Sequence, residues 1–208
     1  MRKDNNVMGK SFYVKYTPLP RSFYERYAVD VAKSLLGKLL VRELEGRFLV
    51  GKIVEVEAYR GIDDPASHAY RGKTPRNYIM WEAPGLAYIY LAYGVNWCLN
   101  IVAEPKGCPA AVLIRALEPL EGIEVMRKNR GVARLRDLTS GPGKLTQAMS
   151  IDSRFNGWDL TKGKLLYVAE PPSLENFDIV ATRRIGIKRG LDKKWRFYIK
   201  GNLFVSRV

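Results

Sequence analysis

The chain has 208 residues and a net charge of +14, from Lys+Arg 35 against Asp+Glu 21. Two cysteines, Cys98 and Cys108, and a single histidine exclude a disulfide framework and a zinc or iron–sulfur ligand set, so no metal or other cofactor is expected. No apolar run reaches the length of a membrane-spanning helix and the cations are scattered, which favours nucleic acid over a membrane as the polyanionic partner.

The polar start Met1-Arg2-Lys3-Asp4-Asn5-Asn6 has no hydrophobic stretch after it, so residues 1–10 read as a short flexible N-terminus without a secretion signal. Ser22-Phe23-Tyr24-Glu25 has the form of a capping box, and Phe23, Tyr27, Val31 and Leu35 at helical spacing predict one helix ending at Gly37. Leu39 to Leu49 and Lys52 to Tyr59 predict two strands around the polar turn Glu43-Leu44-Glu45-Gly46-Arg47. On the second, Glu55 and Glu57 stand at i and i+2 with Tyr59 continuing their face. A solvated strand face explains such a pair, and so does a general base at a strand end. Residues 60–85 hold Gly61, Pro65, Gly72, Pro75, Pro84 and Gly85 and read as a long loop. Arg71, Lys73 and Arg76 within it suit phosphate contacts or a solvated charge run, and His68 suits a loop position or a hydrogen-bonding role.

From Leu86 to Ile101 the pattern predicts a β-hairpin with Ala92-Tyr93-Gly94 as a three-residue loop and Tyr93 at the tip. That register sets Tyr90 against Asn96 and Tyr88 against Cys98, with Asn100 on the same face. The opposite face carries Ile89, Leu91, Val95, Trp97, Leu99 and Ile101, enough to anchor the arm on a core. An aromatic at the tip of a rigid arm, beside a face of tyrosines and asparagines, suits a wedge next to a base pocket. A tip tyrosine packed on a neighbouring loop is the alternative.

Beyond the hairpin, Ala111 to Ala116 predicts a buried strand, and Glu118-Pro119 the start of a helix ending near Gly131. Thr139-Ser140-Gly141-Pro142-Gly143-Lys144 starts a helix through Met149, with Lys144 in a first turn suited to phosphate, although the glycine and hydroxyl positions are not those of a Walker A loop. Leu165 to Ala169, Ile179 to Ile187 and Trp195 to Val208 predict the remaining strands, with Pro171-Pro172 and residues 188–194 as connections. No repeat or linker appears, so the chain reads as one mixed α/β domain.

Taken together, Glu57-Ala58-Tyr59, His68, Thr74-Pro75-Arg76-Asn77, Pro84-Gly85, Tyr90 to Asn100, Arg115 to Gly122, Ser140-Gly141-Pro142 with Lys144-Leu145, and Arg196-Phe197-Tyr198 resemble the alkyladenine (3-methyladenine) DNA glycosylases. The resemblance runs from about Phe23 to the C-terminus. It implies a single α+β catalytic domain over 1–208, with a curved, mainly antiparallel sheet, flanking helices and a protruding hairpin. It also implies a monofunctional base-excision-repair enzyme that acts as a monomer on double-stranded DNA containing damaged purines, in the cytoplasm beside the nucleoid of a prokaryote or in a eukaryotic nucleus. By match, Tyr93 is the intercalating residue. The flipped base stacks between Tyr59 and His68 on one side and Tyr90 on the other, and Asn100 blocks guanine's 2-amino group. Glu57 deprotonates a water held also by Arg115 and the Ile185 main-chain carbonyl. Arg71, Lys73, Arg76 and Lys144 are the expected phosphate contacts. Tyr78, Trp81 and Asn96-Trp97 depart from the family pattern and leave the purine preference open. A non-catalytic binder that stacks bases on Tyr59, Tyr90 and Tyr93, or an enzyme of small acidic substrates, would have no use for this combination of Glu57, His68, Arg115 and Asn100.

Overall fold

The computed structural model describes residues 16–61 and 63–207. The N-terminus expected to be flexible over 1–10 lies outside the described residues. The helix predicted from Ser22 is two: α1 (Arg21–Tyr24) and α2 (Ala28–Leu35). Pro20, not Ser22, stands at the first N-cap, and no side chain caps either helix. The expected capping box therefore does not form; Ser22 lies inside the first turn, two residues past the cap position. What holds α2 is its apolar stripe: Val31, Ala32 and Leu35 are all fully buried in the main core, each larger aliphatic contributing about 1.5–3 kcal/mol.

β1 (Leu39–Leu44) and β2 (Arg47–Arg60) form a hairpin closed by Glu45-Gly46, both with positive φ. The turn falls within the predicted Glu43–Arg47 segment, and β2 starts at Arg47, earlier than the expected Lys52, and continues for 14 residues. Its early part pairs with β1, while Glu55, Val56 and Glu57 pair with β8 (Arg196–Ile199). Register shifts at Val50/Gly51, Ile53/Glu55 and Glu55/Val56 bend it between these partners. Gly51 is required at the first shift, because a Cβ there would stand 2.9 Å from that of Leu117.

β3 (Ala87–Ala92), β4 (Asn96–Val102) and β5 (Ala110–Glu121) follow, then β6 (Leu166–Ala169) and β7 (Ile179–Thr182). Every pairing is antiparallel, in the order β3-β4-β5-β2-β1-β6 with β8 bridging β2 and β7. The fold is thus α+β, a curled antiparallel half-barrel with helices packed against it. Glu118-Pro119 does not open a helix. β5 runs through it, with Pro119 opposite Gly51 beside the shift, where a ladder donor is dispensable. The helix begins five residues later as α3 (Ile123–Arg130), and α4 spans Pro142–Ala148. The last two predicted strands are short, ending at Thr182 and Ile199, because the chain leaves the sheet at Arg183 and turns at Lys200.

The hairpin register also differs from expectation. Tyr90 lies opposite Cys98 and Tyr88 opposite Asn100, so the loop is Tyr93-Gly94-Val95. Tyr93 and Gly94 both take positive φ, 52° and 72°, and Val95 N–H bonds back to the Ala92 carbonyl. The slip is two residues, which leaves each side chain on its predicted face.

Candidate active site

One cross-strand row builds the site. Tyr88 pairs with Asn100, Asn100 with Leu113, and Leu113 with Glu57. Cross-strand neighbours share a face, so this row brings an aromatic, an amide and a carboxylate from β3, β4 and β2 to one side of the sheet. Above it lies a cleft of about 1110 Å³ lined by, among others, Tyr59, His68, Tyr90, Tyr93, Asn100 and Arg115.

Glu57 is fully buried beneath this lining. Tyr59 Oη donates to its Oε2 at 2.7 Å, the Ile185 amide donates to its Oε1 at 2.7 Å, and Arg115 Nη1 stands 3.4 Å from Oε1. The Ile185 group in contact with Glu57 is therefore the N–H; the expectation concerned its carbonyl. Burial, then Glu57, hold the Tyr59 hydroxyl well above its ordinary pKa, so it is a donor.

Neither glutamate is solvated. Glu55 is also fully buried, and its carboxylate accepts from Arg115 Nε (2.9 Å), Arg196 Nε (2.7 Å) and the Ser206 amide and hydroxyl (2.7 and 3.0 Å). Burial alone would raise this carboxyl, but Arg115, the Ser206 amide and Arg196 together hold it below its ordinary value. Burial likewise opposes the charge of Arg115, and Glu57 and Glu55 outweigh it.

His68 Nδ1 lies 2.9 Å from Tyr88 Oη. Burial first and Arg76 second lower the His68 pKa, leaving a neutral ring at pH 7. Burial pushes Tyr88 up to about 12 and Tyr90 higher still. The His68 and Tyr90 centroids are 4.6 Å apart in edge contact. A base stacked between two rings needs about 3.5–4 Å on each face, so none fits between these two. His68 is thus in ring contact with Tyr88 and Tyr90, where the expectation grouped it with Tyr59. Asn100, 3% exposed, donates from Nδ2 to the Tyr88 carbonyl at 3.1 Å.

Tyr93 is 90% exposed, which removes the packed-tip alternative. A Cβ added at Gly186 would lie 3.9 Å from its hydroxyl, so the 183–190 loop approaches the tip. Arg71, Arg76 and Lys144 line the cleft, with Arg76 5.3 Å from the Tyr90 centroid and Lys144 3.7 Å from Asp137. Lys73 is outside the lining and faces Glu82 at 3.5 Å. Lys188 and Arg189, in a segment expected only to be a connection, also line the cleft; their adjacency in a basic run was the signal for it in the sequence. Among the described residues no cluster of three or more His, Cys, Asp or Glu could hold a metal ion.

Residues 22–203 match the methylpurine-DNA glycosylase family. The chain belongs to that family. Among its relatives, a protein of Carboxydothermus hydrogenoformans named provisionally as a 3-methyladenine DNA glycosylase is 52% identical over 189 residues, covering 91% of this chain and 98% of the relative. Similarly named proteins of Desulfitobacterium hafniense and Methanoculleus marisnigri are 47% and 50% identical, covering 90% and 91% of this chain and 98% of each relative. Membership makes this glycosylase a DNA-repair hydrolase acting on N-glycosyl bonds.

Proposed function

We propose that this glycosylase flips an alkylated or deaminated purine out of duplex DNA into the cleft and hydrolyses its N-glycosidic bond with a water activated by Glu57. The observation that carries this is a buried carboxylate, gripped by Tyr59, Ile185 and Arg115, under an aromatic cleft whose rim bears an exposed tyrosine. Tyr93 enters the space vacated by the base. The purine stacks with Tyr59 on one side and the Tyr90–His68 wall on the other, which suits electron-poor alkylated rings. Glu57 takes a proton as the water oxygen bonds to C1′, the C1′–N bond breaks with its electron pair going to the base, and Arg115 and the Ile185 carbonyl help hold the water. An already cationic base leaves with little need of protonation. The products are the free base and an abasic site. Arg71, Arg76, Lys144, Lys188 and Arg189 at the cleft, with Lys73 farther out, meet the phosphates of a double-stranded substrate bound by a monomer.

Tyr93→Ala tests the wedge. An exposed tip contributes little to the fold, so the melting temperature is expected to stay nearly constant. Loss of stacking worth about 1–3 kcal/mol weakens flipping, read as a smaller fluorescence rise from 2-aminopurine beside the lesion. A large drop in melting temperature with unchanged fluorescence would remove Tyr93 from this role. Asn100→Ser tests selectivity: the shorter side chain opens room for a 2-amino group, and release of guanine-type bases relative to hypoxanthine is expected to rise. An unchanged ratio places the steric gate elsewhere.

A further inference from the structure

Asp64 and Arg184 form an ion pair with both side chains at 0% exposure. Arg184 Nη1 and Nη2 reach Asp64 Oδ2 and Oδ1 at 2.5 and 2.7 Å, and Nη1 also donates to the Ala58 carbonyl at 2.9 Å. The guanidinium lies 4.6 Å from the Tyr59 ring centroid and, being buried and absent from the cleft lining, supports that ring from behind. Asp64 Oδ1 accepts from the Ala66 amide at 3.2 Å and Oδ2 from the Arg60 amide at 3.3 Å, shaping the loop that leads to His68. The residue after Arg184 is Ile185, whose amide holds Glu57.

A buried ion pair adds little stability over well-packed apolar residues of the same volume, because both charges lose their hydration. A planar, bidentate fork does fix geometry. We propose that Asp64 and Arg184 are positioning residues for hydrolysis. By joining the 183–190 loop, the 63–68 loop and strand β2, they make the Ile185 amide and Tyr59 hydroxyl hold Glu57 in one orientation toward the sugar. The inference rests on Glu57 as the base that activates water. Both side chains are buried and neither residue lines the cleft, so the effect falls on the chemical step and not on binding.

Arg184→Lys keeps the charge and loses the fork; Asp64→Asn keeps the shape and loses the charge. In each, single-turnover base release at saturating enzyme is expected to slow about 10–100-fold, the scale of a misplaced reacting group. The factor is expected to be the same for cationic 7-methylguanine and neutral hypoxanthine, with unchanged affinity for duplex containing an abasic site. Two variants guard against one failing to fold. Wild-type rates in either folded variant, affinity falling in step with rate, or a factor that differs between the two bases would overturn the proposal. Wild-type turnover by Glu57→Gln would instead sink the underlying mechanism. A slow Glu57→Gln beside a fast Arg184→Lys sinks only this inference.

Discussion

Glu57→Gln is expected to slow base release by about 10²–10⁴-fold, the range for loss of a positioned general base, while lesion-DNA binding persists. The amide matches the carboxylate in shape and its oxygen can still accept one of the bonds from Tyr59 or Ile185, but it cannot take a proton from water at neutral pH. The walls Tyr59, His68 and Tyr90 and the wedge Tyr93 are untouched, so binding has no reason to fail. Single-turnover release and gel-shift affinity, measured on the same variant, check both halves. Near-wild-type release removes Glu57 from the reaction.

The carboxylate two residues earlier is expected to behave in the opposite way. Glu55 joins Arg115, Arg196 and the amide and hydroxyl of Ser206, linking β2, β5, β8 and the C-terminal segment. Glu55→Ala leaves Arg115 and Arg196 buried without this partner, and breaking a buried pair from one side costs about 3–5 kcal/mol. For a chain of this size that lowers the melting temperature by roughly 6–20 °C, which calorimetry reads directly. A shift within a degree or two of wild type would contradict the assignment. The same group sets a pH dependence. Because its folded pKa is depressed, its stabilisation is present above the ordinary carboxylate range and is lost as pH falls through the lower folded value. Acid unfolding of the wild type should therefore include a component that Glu55→Gln lacks.

Spacing alone could not divide these roles. Glu55 and Glu57 share a strand face and a two-residue period, and only neighbours brought from β5, β8 and the 183–190 loop distinguish them. Alternation in the hairpin fixed which face Tyr88, Tyr90 and Asn100 occupy, yet it is blind to a slip of two residues, and the slip is what sets Tyr88 against Asn100. The capping-box pattern of Ser22 was overridden by Pro20, two residues earlier, where the helix starts. The helix signal at Glu118-Pro119 gave way to a strand bulge that tolerates proline. Asp64 and Arg184 were illegible for a different reason. They are 120 residues apart, in loops with no periodicity, and their pairing exists only once the half-barrel closes.

The most direct test is to incubate the protein with duplex DNA carrying one 7-methylguanine and to separate free base from strand products. Free 7-methylguanine is expected in the supernatant, with a strand that stays intact until alkali cleaves the abasic site. No free base, or a strand nicked without alkali, would contradict the proposed hydrolysis.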